Sequence, residues 1–222
     1  MGAAIGQALP VAVGITISPL PVVAVALMLV SSRPRANALT FLAAWSVTVA
    51  AVIVVVALVA GQPTGSGHDP APWTGWLRIA LGAALLLLAL RRWRARPRGD
   101  GAPDQPRWMS AVESFTPVRS AGLAALLAGV NPKNLLLAVS AGVSVAGATA
   151  DTTATLVAAV VLAAVASLGV VAPVVVYLAA GDRAGPRLEE IRTWLVRHDA
   201  VIMAVLLVVL GAKLIGDGIN VL

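Results

Sequence analysis

The sequence predicts an all-α polytopic membrane protein: six transmembrane helices arranged as two inverted three-helix repeats, with helices one and four broken near their centres. Three observations predict it. Apolar runs of about 20 residues, long enough to cross a ~30 Å hydrocarbon core, recur along the chain. The basic residues cluster in alternate loops. Prolines interrupt the first and fourth apolar runs at corresponding places. Composition agrees, because 59% of residues are hydrophobic and only 12% charged, against roughly 25% charged in soluble domains. So much apolar surface has no soluble solution at this length, and no room is left for a soluble catalytic domain.

Six spans follow from the apolar runs, over residues 3–30, 37–60, 76–91, 119–148, 154–180 and 199–219. The N-terminal stretch Met1–Gln7 has no basic region and no cleavage motif after a short apolar core. The first apolar segment is therefore expected to stay as a span rather than leave as a signal peptide. The third span is short, and Trp73 and Trp76 suit an interfacial anchor at its outer end.

Arginines occupy three connections. Arg33 and Arg35 follow span one, Arg91 to Arg119 follow span three, and Arg183 to Arg197 follow span five. The alternate loops, 61–75 and 149–153, hold Asp69 and Asp151 and no Lys or Arg. By the positive-inside rule the arginine loops are cytoplasmic and both termini lie outside, in a cell inner (plasma) membrane. Arg78 is the exception and is expected to snorkel to the outer interface. The net charge of +6 is thus topological, and no basic soluble domain exists to bind nucleic acid.

The chain divides into a first repeat over 1–92, a basic cytoplasmic loop over 93–118 and a second repeat over 119–222. Arg94–Pro106 is rich in Pro, Gly and Arg and reads as flexible. Ser110–Glu113 then forms a capping-box pattern, and Trp108, Met109, Val112 and Phe115 fall at helical spacing. A short helix on the inner leaflet is expected there, with an irregular loop as the alternative. Thr116 and Pro117 suit the N-cap and first position of span four.

The two breaks carry the chemistry. Span one reads Ile17-Ser18-Pro19-Leu20-Pro21, and span four reads Asn131-Pro132-Lys133-Asn134. Each proline removes a backbone donor and clashes with the preceding turn. Ser18 and Asn131 suit N-caps of new half-helices, with Pro19 and Pro132 at the first positions. Each break then presents free amides and a positive dipole end at membrane depth. Paired broken helices in halves of opposite direction point to a transporter binding site. Lys133 stands roughly 20 Å along the helix from Ser120, too deep to reach an interface. An ionisable group at that depth is a candidate site residue, and the pocket suits an anionic or hydroxyl-rich headgroup. The alternative is a structural lysine, bonded to carbonyls that the break frees or left neutral by desolvation. Lys213 and Asp217 stand four residues apart near the outer end of span six and can form an ion pair, structural or gating.

Other classes lack raw material. No cysteine is present, and the two histidines, His68 and His198, fall in expected loops. No metal site, cofactor or catalytic constellation is expected, so the chain reads as a non-enzyme. No acidic residue lies near the centre of any span, which leaves a carboxylate proton relay unsupported. Small-xxx-small spacings such as Ala125–Gly129 are compatible with a homodimer but arise by chance in an alanine-rich chain.

The Ser18-Pro19-Leu20-Pro21 element, the Ser32-Arg33-Pro34-Arg35-Ala36-Asn37 turn and the Asn131-Pro132-Lys133-Asn134 motif together resemble the GAP family. These are the sulfolipid- or peptidoglycolipid-addressing proteins of actinobacteria, a branch of the lysine-exporter superfamily. The resemblance covers nearly the whole chain. The Asn-Pro-Lys motif is shared across that superfamily; Ser-Pro-x-Pro with the arginine turn is the more specific part. Amino-acid exporters usually carry Pro-Gly-Pro-Asp/Asn where this chain has Ser18–Pro21, which favours the lipid branch. The resemblance implies a six-helix inverted-repeat translocator of glycolipids or related envelope lipids, working with an RND-type lipid exporter. Carried over by motif are Ser18, Pro19, Pro21, Asn131, Pro132, Lys133 and Asn134 as substrate-binding residues. A small-solute exporter of amino acids or ions, and a non-transporting assembly factor for the lipid exporter, are the alternatives.

Overall fold

A computed structural model describes residues 1–61, 72–94 and 112–222, and every regular element among them is helical. The helices are α1 (Gly2–Thr16), α2 (Pro19–Leu29), α3 (Pro34–Ala60), α4 (Pro72–Arg94), α5 (Pro117–Gly129), α6 (Pro132–Ala148), α7 (Thr152–Ala180) and α8 (Gly185–Ile219). Short 3-10 turns cover Val112–Ser114 and Gly181–Ala184. In α3, α4, α7 and residues 200–219 of α8 the helix is long and apolar enough to cross a bilayer. The pairs α1/α2 and α5/α6 reach that length only together, and they bend by 51° and 64°. This is a multi-pass membrane protein, with up to six spans when each bent pair counts as one.

The helix starts follow the sequence signals. Proline is at the first position of α2, α3, α5 and α6, where its missing amide costs nothing. Thr116 accepts the Arg119 amide, Asn131 that of Lys133, and Asp151 that of Ala154. Ser18 is the departure, since its side chain makes no capping bond. Only the second and third amides of a helix can reach a cap, and the third residue of α2 is Pro21, which has none.

Boundaries differ from expectation in three places. The third span, expected as a short run over 76–91, is a 23-residue helix over Pro72–Arg94. The helix expected at 199–219 begins at Gly185, so the arginine segment between spans five and six is helical. In the 93–118 segment, Val112–Ser114 is a 3-10 turn. Val112 is fully buried and Phe115 packs on the core, so this part points inward rather than lying on a leaflet. Trp108, Met109, Ser110 and the Arg94–Pro106 stretch beyond Arg94 lie outside the described residues, as do His68 and Asp69. Asn37, from the arginine turn, holds the segment in place: its amide nitrogen donates to the Phe115 carbonyl at 2.9 Å and to the Ser31 hydroxyl at 3.2 Å.

The helices associate through close backbone approach, the main device available where lipid offers no hydrophobic drive. A methyl added at Gly82 would lie 2.6 Å from the Gly211 carbonyl oxygen, and one at Gly218 would lie 2.7 Å from that of Gly75. Two glycines seven apart on α4 thus meet two seven apart on α8. Gly142 of α6 sits 2.8 Å, by the same measure, from the Ile53 carbonyl of α3. Near the middle of α3 and α7, Ser46 and Ser167 share a hydrogen bond of 2.8 Å. Thr16, the last residue of α1, donates to the Val165 carbonyl at 2.6 Å in the same layer. Both helices exceed 25 residues, so the first break lies near the mid-level of the bundle.

Candidate functional site

Each break has an identifiable covalent cause. In a continuous helix the Ile17 carbonyl would accept the amide of residue 21, but Pro21 has none. The Ile17 oxygen is left open at the end of α1, and the Lys133 amine donates to it at 2.9 Å. A lysine amine at a helix C-terminus, when protonated, also meets the negative end of its dipole. In span four, Pro132 removes the donor that Ala128 would use. The chain also winds wide, because the Asn131 amide bonds back to Leu126 rather than Leu127. The orphaned Leu127 carbonyl is taken by the Asn134 side-chain nitrogen at 2.9 Å. The Asn134 oxygen in turn accepts the Ser18 hydroxyl at 3.4 Å.

One four-residue motif therefore stitches both breaks together. Asn131 caps α6, Lys133 closes the end of α1, and Asn134 joins the start of α2 to the end of α5. Lys133 is 4% exposed and Asn134 fully buried, so each is held by partners rather than by water.

Beside this knot is a cleft lined by Ser18, Pro19, Leu20, Arg92, Asn131, Lys133, Met203 and Leu207. Its internal volume is about 10 Å³, room for roughly one water molecule. Of the residues selected from sequence, Ser18, Pro19, Asn131 and Lys133 face it. Pro21 and Asn134 are buried behind it, and Pro132 is exposed outside it. Arg92 is the residue that sequence reasoning missed. It reads as one more topological arginine, yet α4 runs unbroken to Arg94 and packs along α8, which carries Arg92 to the cleft opposite Met203. The signal was the uninterrupted helical run from Leu85 through Arg92, with no breaker before the charges.

At the other end, Lys213 and Asp217 form the expected ion pair along α8, each about one-third exposed. Arg78 does not snorkel outward. It is 8% exposed and turns inward, donating to the Val143 carbonyl of α6 at 3.4 Å. Among the described residues no cluster of His, Asp, Glu or Cys has metal-binding geometry.

No curated protein and no solved structure matches the chain. A family does match, over nearly its full length, and its match spans both breaks, the arginine turn and the α4/α8 contact. Residues 8–220 correspond to the family described as Sap, sulfolipid-1-addressing protein, and the chain belongs to that family.

Proposed function

We propose that the protein translocates a lipid with an anionic or hydroxyl-rich headgroup, of the sulfolipid and glycolipid type, across a cell's inner membrane. The observation that carries the reading is the meeting of two broken helices around Lys133, next to a cleft at bundle mid-level. The headgroup would replace the Ile17 carbonyl as partner of the Lys133 amine, and Arg92 would add charge from the arginine-rich end. Acyl chains would remain in lipid while the headgroup passes between the half-helices.

The packing supports a six-span inverted repeat. The neighbours of α3 in the first half mirror those of α7 in the second, since each packs on the broken span of the other half. Spans three and six pack on one another through matched glycines. That architecture fits the lysine-exporter superfamily, and the family description fits lipid cargo. On this reading the protein is not an enzyme, and an RND-type lipid exporter is the partner that receives the lipid.

The narrowness of the cleft favours one second reading. A cavity of about 10 Å³ admits no headgroup without helix movement, which suits an assembly factor that docks a lipid exporter and moves nothing itself. The experiment compares surface-extractable with total lipid in host cells lacking the protein, restored with wild type, or restored with Lys133→Ala. Translocation predicts one lipid class retained inside without the protein and still retained with folded Lys133→Ala. Full restoration by Lys133→Ala would sink the site and leave the assembly factor. Unchanged surface lipid in cells lacking the protein would turn attention to small-solute export.

A further inference from the structure

Arg78 has no part in the function proposed so far, and its surroundings are unusual for a buried guanidinium. Burying such a charge is costly unless it is fully paired. Arg78 has one long bond, to the Val143 carbonyl, and its Nε has no hydrogen-bond partner among the described residues. Among the described residues the carboxylate whose charge reaches it is that of Asp217, which is already engaged by Lys213. These three groups comprise two cations and one anion.

The seat of Arg78 is also built. A methyl at Gly147 would collide with a terminal guanidinium nitrogen, so the guanidinium rests where α6 lacks a side chain. The face of α6 leading to that seat is polar. At 3.6 residues per turn, Lys133, Ser140, Ser144 and Gly147 lie within about 60° of one another around the helix. Ser140 and Ser144 are buried and donate to carbonyls one turn back, which leaves their oxygens able to accept. One face of α6 thus runs from the Lys133 amine past two hydroxyls to the Arg78 guanidinium, a rise of ~20 Å.

We propose that Arg78 is the cation of a second anion station, which takes the anionic oxyacid group (sulfate, phosphate or carboxylate) of the cargo after it leaves Lys133. Asp217, held by Lys213, offsets the Arg78 charge between cargoes, and the anion of the cargo takes over that part when it arrives. The inference rests on the translocation reading for the order of the two stations. The existence of an anion site at Arg78 is independent of it.

The test is native mass spectrometry of the full chain in detergent, counting bound short-chain phosphatidylglycerol above bound short-chain phosphatidylcholine. Wild type is expected to hold two extra anionic lipids. Arg78→Gln and Lys133→Ala are each expected to hold one, the double variant none, and Arg78→Lys two. A wild-type count in Arg78→Gln overturns the station. Loss in Arg78→Gln with a wild-type count in Lys133→Ala keeps the station and removes the Lys133 site instead. No excess in wild type overturns both. Should Arg78→Gln fail to fold, Asp217→Asn decides, because removing the competing carboxylate tightens the second binding step by about fivefold or more; an unchanged affinity counts against the station. Sodium sulfate separates the sources of the anion: displacement of the second lipid shows that the station accepts a free oxyanion, and retention shows that it requires a lipid-borne one.

Discussion

Asn134 shows how much of the site depends on single polar atoms. Its nitrogen satisfies the carbonyl that the wide turn after Leu127 leaves over, and its oxygen receives Ser18 from the other break. Asn134→Leu keeps the branched shape but strands a buried carbonyl and a buried hydroxyl, at about 1–3 kcal/mol each. A clear fall in the melting temperature of purified protein is expected, and an unchanged value would show that the breaks hold without the stitch. The motif was legible in the sequence because proline, asparagine and lysine at membrane depth have few structural uses. The partners were not legible. That Lys133 meets Ile17 depends on Pro21 withholding an amide from a carbonyl in another helix. That Ser18 bonds sideways instead of capping depends on the same missing donor. Both facts were present in the letters but needed the two breaks side by side to be read.

At the scale of helices, the boundaries were mostly legible because Pro, Ser, Thr, Asn and Asp mark starts by fixed local chemistry. The continuation of α8 back to Gly185 was not, since a charged amphipathic stretch and a solvated loop have similar composition. Nor was the α4/α8 contact. In a chain this rich in glycine and alanine, Gly75, Gly82, Gly211 and Gly218 carry no mark of pairing until the backbones approach. Their role can be measured. Gly82→Val would drive a branched side chain against the Gly211 carbonyl and Ile215, with an overpacking cost of about 1–3 kcal/mol. Gly122→Val, where an added carbon meets nothing within 4 Å, is the control and loses only the flexibility of glycine. Purified Gly82→Val is expected to melt well below Gly122→Val. Equal melting would mean that α4 and α8 are held by other contacts, and that Arg92 reaches the cleft for some other reason.

For the whole molecule, the quantity that gives the site a direction is orientation in the bilayer. The cleft at Lys133 is lined by Arg92, from the arginine-bearing end, whereas Arg78, Lys213 and Asp217 stand toward the opposite end. If the arginine segments are cytoplasmic, the face of α6 from Lys133 to Arg78 leads outward and the device suits export. With no cysteine of its own, the chain offers no competing thiol. Ala150 and Arg187 are both exposed, one just before α7 and the other just after it. A membrane-impermeant maleimide applied to intact cells is expected to label Ala150→Cys and to spare Arg187→Cys until the membrane is permeabilised. The reverse pattern would place the arginines outside and make the same route run inward, which would contradict lipid addressing while leaving every contact in the fold intact. Labelling of both positions would mean that the chain inserts in two orientations. A pseudo-symmetric pair of broken helices would then serve passage in either direction, and the asymmetry between Arg92 and Arg78 would no longer select one.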